Sequence, residues 1–79
     1  MRTKTYVKVT AIFDDIGNIF PKKIEWEDGT NYEVDKIIDI RPCASTKCGG
    51  FGIRYTCGIR GKEAFLFFED NRWFVERKD

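Results

Sequence analysis

The sequence predicts an all-β domain: a single small antiparallel barrel of about six strands over residues 1–79, SH3-like in strand order, with an OB-like order as the alternative. Three observations lead there. Apolar residues recur with period two, as in "TYVKVTAIF", where Val7, Val9, Ala11 and Phe13 fall on one face. Turn-forming residues interrupt the chain at short intervals. The three-and-four spacing of an amphipathic helix is absent over any long stretch. With 79 residues the chain has room for one domain, near the lower size limit for independent folding.

The elements follow in order. "TYVKVTAIF" is the first strand, and "DDIGN" ends it with acidic and glycine turn residues. "FPKKIEW" follows, with Pro21 tolerable only at a strand's start or on an edge. In "EDGTN" the Asp28-Gly29 pair supplies the left-handed residue of a hairpin connection. "YEVDKIIDIR" sets Tyr32, Val34, Ile38 and Ile40 against Glu33, Asp35 and Asp39. "PCASTKCGGFG", residues 42–52, is the longest break in the pattern: a loop displayed by a rigid scaffold, or a connection across one barrel end with Phe51 as a plug.

The last three strands can be registered by hand. Two-residue turns at Gly61-Lys62 and Asp70-Asn71 place Arg54 opposite Glu69, Phe65 opposite Gly58 and Phe67 opposite Phe74. One face then collects Ile53, Tyr55, Cys57, Ile59, Leu66, Phe68, Trp73 and Val75, an apolar core. The other collects Phe65, Phe67 and Phe74, bordered by charged residues that include Arg54 and Arg72. A core needs only one of these faces. Three phenylalanines on the second face predict either cover from elsewhere in the chain or a surface for a partner.

Composition excludes several function classes. A chain that is 42% hydrophobic and 15% aromatic is no disordered tail. Lys and Arg number 14 against 13 acidic residues, so net charge offers no argument for nucleic acid or an anionic membrane. Residues 1–40 hold 6 basic and 8 acidic side chains and residues 41–79 hold 8 and 5, giving −2 and +3, a mild dipole. No apolar run reaches membrane-spanning length and no charged leader precedes an apolar segment, so a cytoplasmic location is expected. Cys43, Cys48 and Cys57 are an odd number without zinc-site spacing. Cys57 is expected to be a small buried residue, with Cys43 and Cys48 in the loop. There is no His to serve as a base, no activated nucleophile and no phosphate loop, so neither enzyme activity nor a metal or cofactor is expected.

What remains is binding. Aromatic anchors inside an arginine-bearing rim suit a protein partner or a homodimer, through Phe65, Phe67 and Phe74 with Arg54 and Arg72. The alternative is RNA or single-stranded DNA stacked on the same platform, with Lys47 and Phe51 added. "GGFGIRY" places Gly50, Phe51 and Gly52 as in an RNA-recognition strand, but Gly49 and Ile53 stand where a basic residue and a second aromatic belong.

"WEDGTNYEVDKIIDIR" and "GIRYTCGIRGKEAFLFFEDNRWFVE" together resemble a group of small uncharacterised proteins of Gram-positive bacteria and their mobile elements. The resemblance runs from Val7 to Glu76. It rests on Trp26-Glu27-Asp28-Gly29, Gly52-Ile53-Arg54-Tyr55, Gly61-Lys62-Glu63 and Arg72 to Glu76. It implies a self-contained β domain and no particular chemistry, and it adds a third binding role, a mobile-element inhibitor of one host protein.

Overall fold

The computed structural model describes residues 2–44 and 51–78, which form eight strands and no helix. In chain order these are β1 (Arg2–Tyr6), β2 (Lys8–Phe13), β3 (Ile19–Glu25), β4 (Asn31–Glu33), β5 (Lys36–Ala44), β6 (Phe51–Ile59), β7 (Lys62–Glu69) and β8 (Arg72–Lys78). They make two antiparallel sheets, one of five strands in the order β1-β8-β7-β6-β5 and one of three in the order β2-β3-β4.

Eight strands replace the expected six because the two longest alternating stretches each change sheets part-way. "TYVKVTAIF" runs as β1 beside β8 and then β2 beside β3, with Val7 at the crossing, where its N–H donates to the Trp73 carbonyl at 3.1 Å. "YEVDKIIDIR" runs as β4 beside β3 and then β5 beside β6. At that crossing the Val34 N–H donates to Lys22 O at 2.9 Å and the Asp35 N–H to Gly58 O at 2.8 Å. A sharply bent strand exchanges one partner for another, and its backbone groups stay paired across the bend.

Two β-bulges alter the predicted faces. Between Thr10 and Ala11 the register jumps from Lys23 to Pro21, which leaves Lys22 as the extra residue next to a proline that lacks a donor. Past that point Phe13 does not join Val7 and Val9 in the core; it stands 69% exposed near the hairpin tip. In β5 the register skips from Ile37 to Asp39. Ile37 therefore packs on the core in place of Ile38, and Ile38 and Ile40 are exposed.

The core lies between the sheets. Ile24 of β3 meets Tyr55 and Cys57 of β6 and Leu66 of β7, with Val9, Tyr32, Ile53, Ile59, Phe68, Trp73 and Val75 packed around them. All eight residues predicted for the inner face of β6–β8 lie there. The Tyr55 hydroxyl ties the sheets together by donating to the Ile19 carbonyl at 2.5 Å. Cys57 is fully buried, and that burial pushes its thiol up to about 11.

The turns explain why the faces sort as predicted although one register does not. Asp70 and Asn71 both have positive φ, 54° and 60°, as the two central residues of a type I′ hairpin must. At the β6–β7 reversal the central residues are Arg60 and Gly61, φ 52° and 77°, rather than Gly61 and Lys62. Gly61 is thereby second in the turn, and the Arg60 N–H is held by Asp35 Oδ2 at 3.0 Å. Moving the turn back by one residue shifts each cross-strand partner by two, so every side chain keeps its face. The partners themselves change: Phe65 lies opposite Thr56, Arg54 opposite Phe67, and Gly52 opposite Glu69.

Candidate docking surface

The outer side of the five-stranded sheet carries the predicted phenylalanines, but in two layers. Phe67 and Phe74 face each other across β7 and β8 with 5.0 Å between ring centroids and 5° between planes. They are only 8% and 3% exposed, so they form a floor. Pairing of β1 with β8 brings Tyr6 beside Phe74 as an edge-on contact at 5.7 Å, and Lys4 Nζ lies 4.7 Å from the Phe74 ring centre. Long side chains with apolar stems and charged heads cover such a floor efficiently.

Standing above it are Phe65 and Tyr6, 49% and 46% exposed. Each already holds a cation. The Arg54 guanidinium lies 5.0 Å over Phe65, and Arg72 lies 3.7 Å over Tyr6. These cation–π contacts contribute about 0.5–1 kcal/mol each at such exposed sites. They also fix the rotamers of two arginines that a surface position would leave free. Arg54 Nε is buried and has no hydrogen-bond partner among the described residues, so the ring contact stands in for an ion pair.

Phe65, Phe67, Phe74, Arg54 and Arg72 are thus brought onto one face, as the alternation required. Phe51 opens β6, but its side chain is outside the described part, and Lys47 lies outside the described residues altogether. A pairing between Cys43 and Cys48 falls there too. Among the described residues no three His, Cys, Asp or Glu side chains are grouped to hold a metal, and no helix is long and apolar enough to cross a membrane.

Sequence reasoning missed a second feature. A cleft of about 440 Å³ opens between the sheets, lined by Ile24, Trp26, Tyr32, Ile59, Leu66 and Val75, with Phe65 on its lip. Arg60, Lys62 and Glu63 are its charged lining residues, and the Arg60 guanidinium lies 4.7 Å over Tyr32. Its cause is a parting of strands. The β7–β8 ladder ends at Leu66 and Val75, after which β8 continues beside β1 alone. Only the unequal length of the strands around the Asp70-Asn71 turn hinted at this. The predicted "DDIGN" turn forms the β2–β3 hairpin tip. There Asp14 accepts from the N–H groups of Ile16 and Asn18 at 3.0 and 2.8 Å, which holds Ile16 outward at 79% exposure.

No family model, curated protein or solved structure matches this chain. Its own geometry therefore carries the functional argument.

Proposed function

We propose that the protein is a non-enzymatic binding module that docks a protein partner, or a second copy of itself, on the outer face of the five-stranded sheet. The observation that carries this reading is the layered aromatic surface. Half-exposed Phe65 and Tyr6, each with an arginine over its ring, stand on the buried Phe67–Phe74 stack. Rigid aromatic and arginine side chains in one patch are the residues that dominate binding energy at protein interfaces. The floor keeps them from shifting, which lowers the ordering cost on association.

The two bent strands, β1–β2 and β4–β5, each pairing into both sheets, support reading the fold as a small, strongly curved SH3-like barrel with the docking face on its outside. The thiol of Cys57, buried and shifted upward, suits structure rather than nucleophilic chemistry. Residence in the cytoplasm and a place among the small Gram-positive and mobile-element proteins remain part of the same reading. Base stacking is less well served, because Phe67 and Phe74 present almost no open ring and the other two rings are occupied by guanidinium groups.

Sedimentation velocity across a concentration series, for wild type and Phe65→Glu, tests the self-association form. A concentration-dependent dimer lost in the variant supports it, and a monomer throughout leaves only a different protein as partner. Retention on a single-stranded nucleic-acid column that falls steeply with salt would overturn the protein-contact reading in favour of nucleic acid.

A further inference from the structure

The parting of β7 and β8 leaves half a strand without a neighbour. Lys62–Phe65 pair with β6 on one side, from Ile59↔Lys62 to Thr56↔Phe65. On the other side the first β8 partner is Val75, opposite Leu66. The residues of β8 that would continue this ladder, Glu76 to Lys78, pair only with Lys4 to Arg2 of β1, on the opposite edge of β8. On the β8 side, four residues of β7 have no paired strand among the described residues. Every second one directs its N–H and C=O into that gap. Lys62 and Glu63 are exposed and Phe65 is half-exposed, so the edge is open to an incoming chain.

Directly beside this edge is the apolar cleft of about 440 Å³. A free backbone edge next to an apolar hollow is the arrangement that takes an extended peptide, in which main-chain bonds give affinity and alternate side chains enter the hollow. Exposed edges are usually blunted by proline, a bulge, a short length or charged side chains, lysine above all. The β5 edge shows the Ile37/Asp39 bulge and Pro42; Lys62–Phe65 carry neither, and the charges of Lys62 and Glu63 alone guard this edge.

We propose that this gap receives an extended segment of a partner protein as an added strand beside Lys62–Phe65. Alternate apolar side chains of the guest occupy the cleft against Ile24, Tyr32, Leu66 and Val75, and an acidic side chain reaches Arg60 and Lys62. Charge complementarity selects the acidic residue: neither cation has a carboxylate partner among the described residues. Arg60 is moreover fixed at the mouth by its left-handed turn position, by Asp35 on its N–H and by Tyr32 beneath its guanidinium. Glu63 also lines the cleft, so its charged lining of Arg60, Lys62 and Glu63 keeps one net positive charge. The guest's remaining side chains point to the outer face of the sheet, beside Phe65, and so continue the docking surface. The inference rests on the binding-module reading and gives the partner a shape: a strand of four to six residues alternating apolar and polar, with an acidic residue at one end. At about 3.3 Å per residue, four residues span roughly 13 Å of edge.

The test is selection of binders to the full chain from a phage-displayed library of random linear peptides. The selected peptides are then synthesised with and without backbone N-methylation and mapped by amide chemical shifts. The expected result is a consensus of alternating apolar positions with a terminal acidic residue. Methylating alternate amides should weaken binding about tenfold for two lost hydrogen bonds, while methylating the intervening amides should not. The largest shifts should fall on Lys62–Phe65, Ile24 and Tyr32, and the charge-reversed pair Arg60→Glu and Lys62→Glu should prefer basic peptides. Peptides that bind equally well when methylated, or a library that yields no binder, would overturn the added strand. Shifts confined to Tyr6, Arg54 and Arg72 would also overturn it while leaving the outer face as the docking surface.

Discussion

The Phe67→Ala substitution removes a ring that is 8% exposed and stacked on Phe74 at 5.0 Å, on the side of the sheet away from the main core. Truncating a buried phenylalanine costs about 3–5 kcal/mol, and more when the surroundings cannot collapse. Flexible side chains border this site, Arg54 directly opposite among them, and they can settle into part of the space. The cost should therefore fall near the low end, about 3 kcal/mol. Roughly 1 kcal/mol of that belongs to the ring pair, so Phe74→Ala should cost about that much less when Phe67 is already absent. In a domain of this size each kcal/mol lowers Tm by about 4–8 °C, which predicts a fall of roughly 12–24 °C. Thermal and urea melts followed by tryptophan fluorescence give the number, with Phe65→Ala measured alongside. Truncating half-exposed Phe65 should cost about 1 kcal/mol or less. If the two variants are equally stable to within about 1 kcal/mol, the division into a structural floor and exposed anchors is wrong.

Three other outcomes follow from the same geometry. Tyr55→Phe leaves the Ile19 carbonyl without its 2.5 Å hydrogen bond and should lower stability by about 1–2 kcal/mol in denaturant melts. Gly61→Ala forces a Cβ onto a residue at φ 77° and should cost about 1 kcal/mol, whereas Asn71→Gly, at φ 60°, should stabilise by about 0.5 kcal/mol. Cys57 has its thiol raised by burial from 9.0 to about 11, so the folded state holds this proton more tightly than the unfolded state. Stability from this source is complete below pH 9 and is lost as pH rises toward 11, by about 2–3 kcal/mol at most. Tyr55, also raised by burial, adds in the same direction, and Cys57→Ala should flatten part of the slope measured by melts across that range.

Much of the architecture was legible in the residues. Alternation in "GIRYTCGI" showed which side chains of β6 face inward, and pairing across a two-residue turn of either placement carries the same parity into "EAFLFFE", whose own apolar run does not alternate. The Asp70-Asn71 turn, the Gly29 turn and the burial of Cys57 follow from local chemistry. Bulges are different. Nothing in "DKIIDIR" says that Ile37 rather than Ile38 will reach the core, because that depends on a skip opposite Cys57 and Thr56. The bends at Val7 and Val34 are likewise decided by which strand lies beside them. The candidate surface was half visible. Alternation placed Phe65, Phe67 and Phe74 together, but only the β1–β8 pairing adds Tyr6 and Lys4 and turns two of the phenylalanines into a floor. The cleft depends on where one ladder stops, and no residue type marks that point.

Docking on the outer aromatic face is tested most directly by photocrosslinking in the native host, with benzoylphenylalanine placed in turn at Tyr6, at Phe65 and, as a control on the other sheet's hairpin, at Asp15. A discrete protein adduct of one mass from Tyr6 and Phe65, absent from Asp15 and lost when Arg54→Glu and Arg72→Glu are introduced, is the predicted result. Adducts only from Asp15, or the same adducts from all three positions, would contradict it.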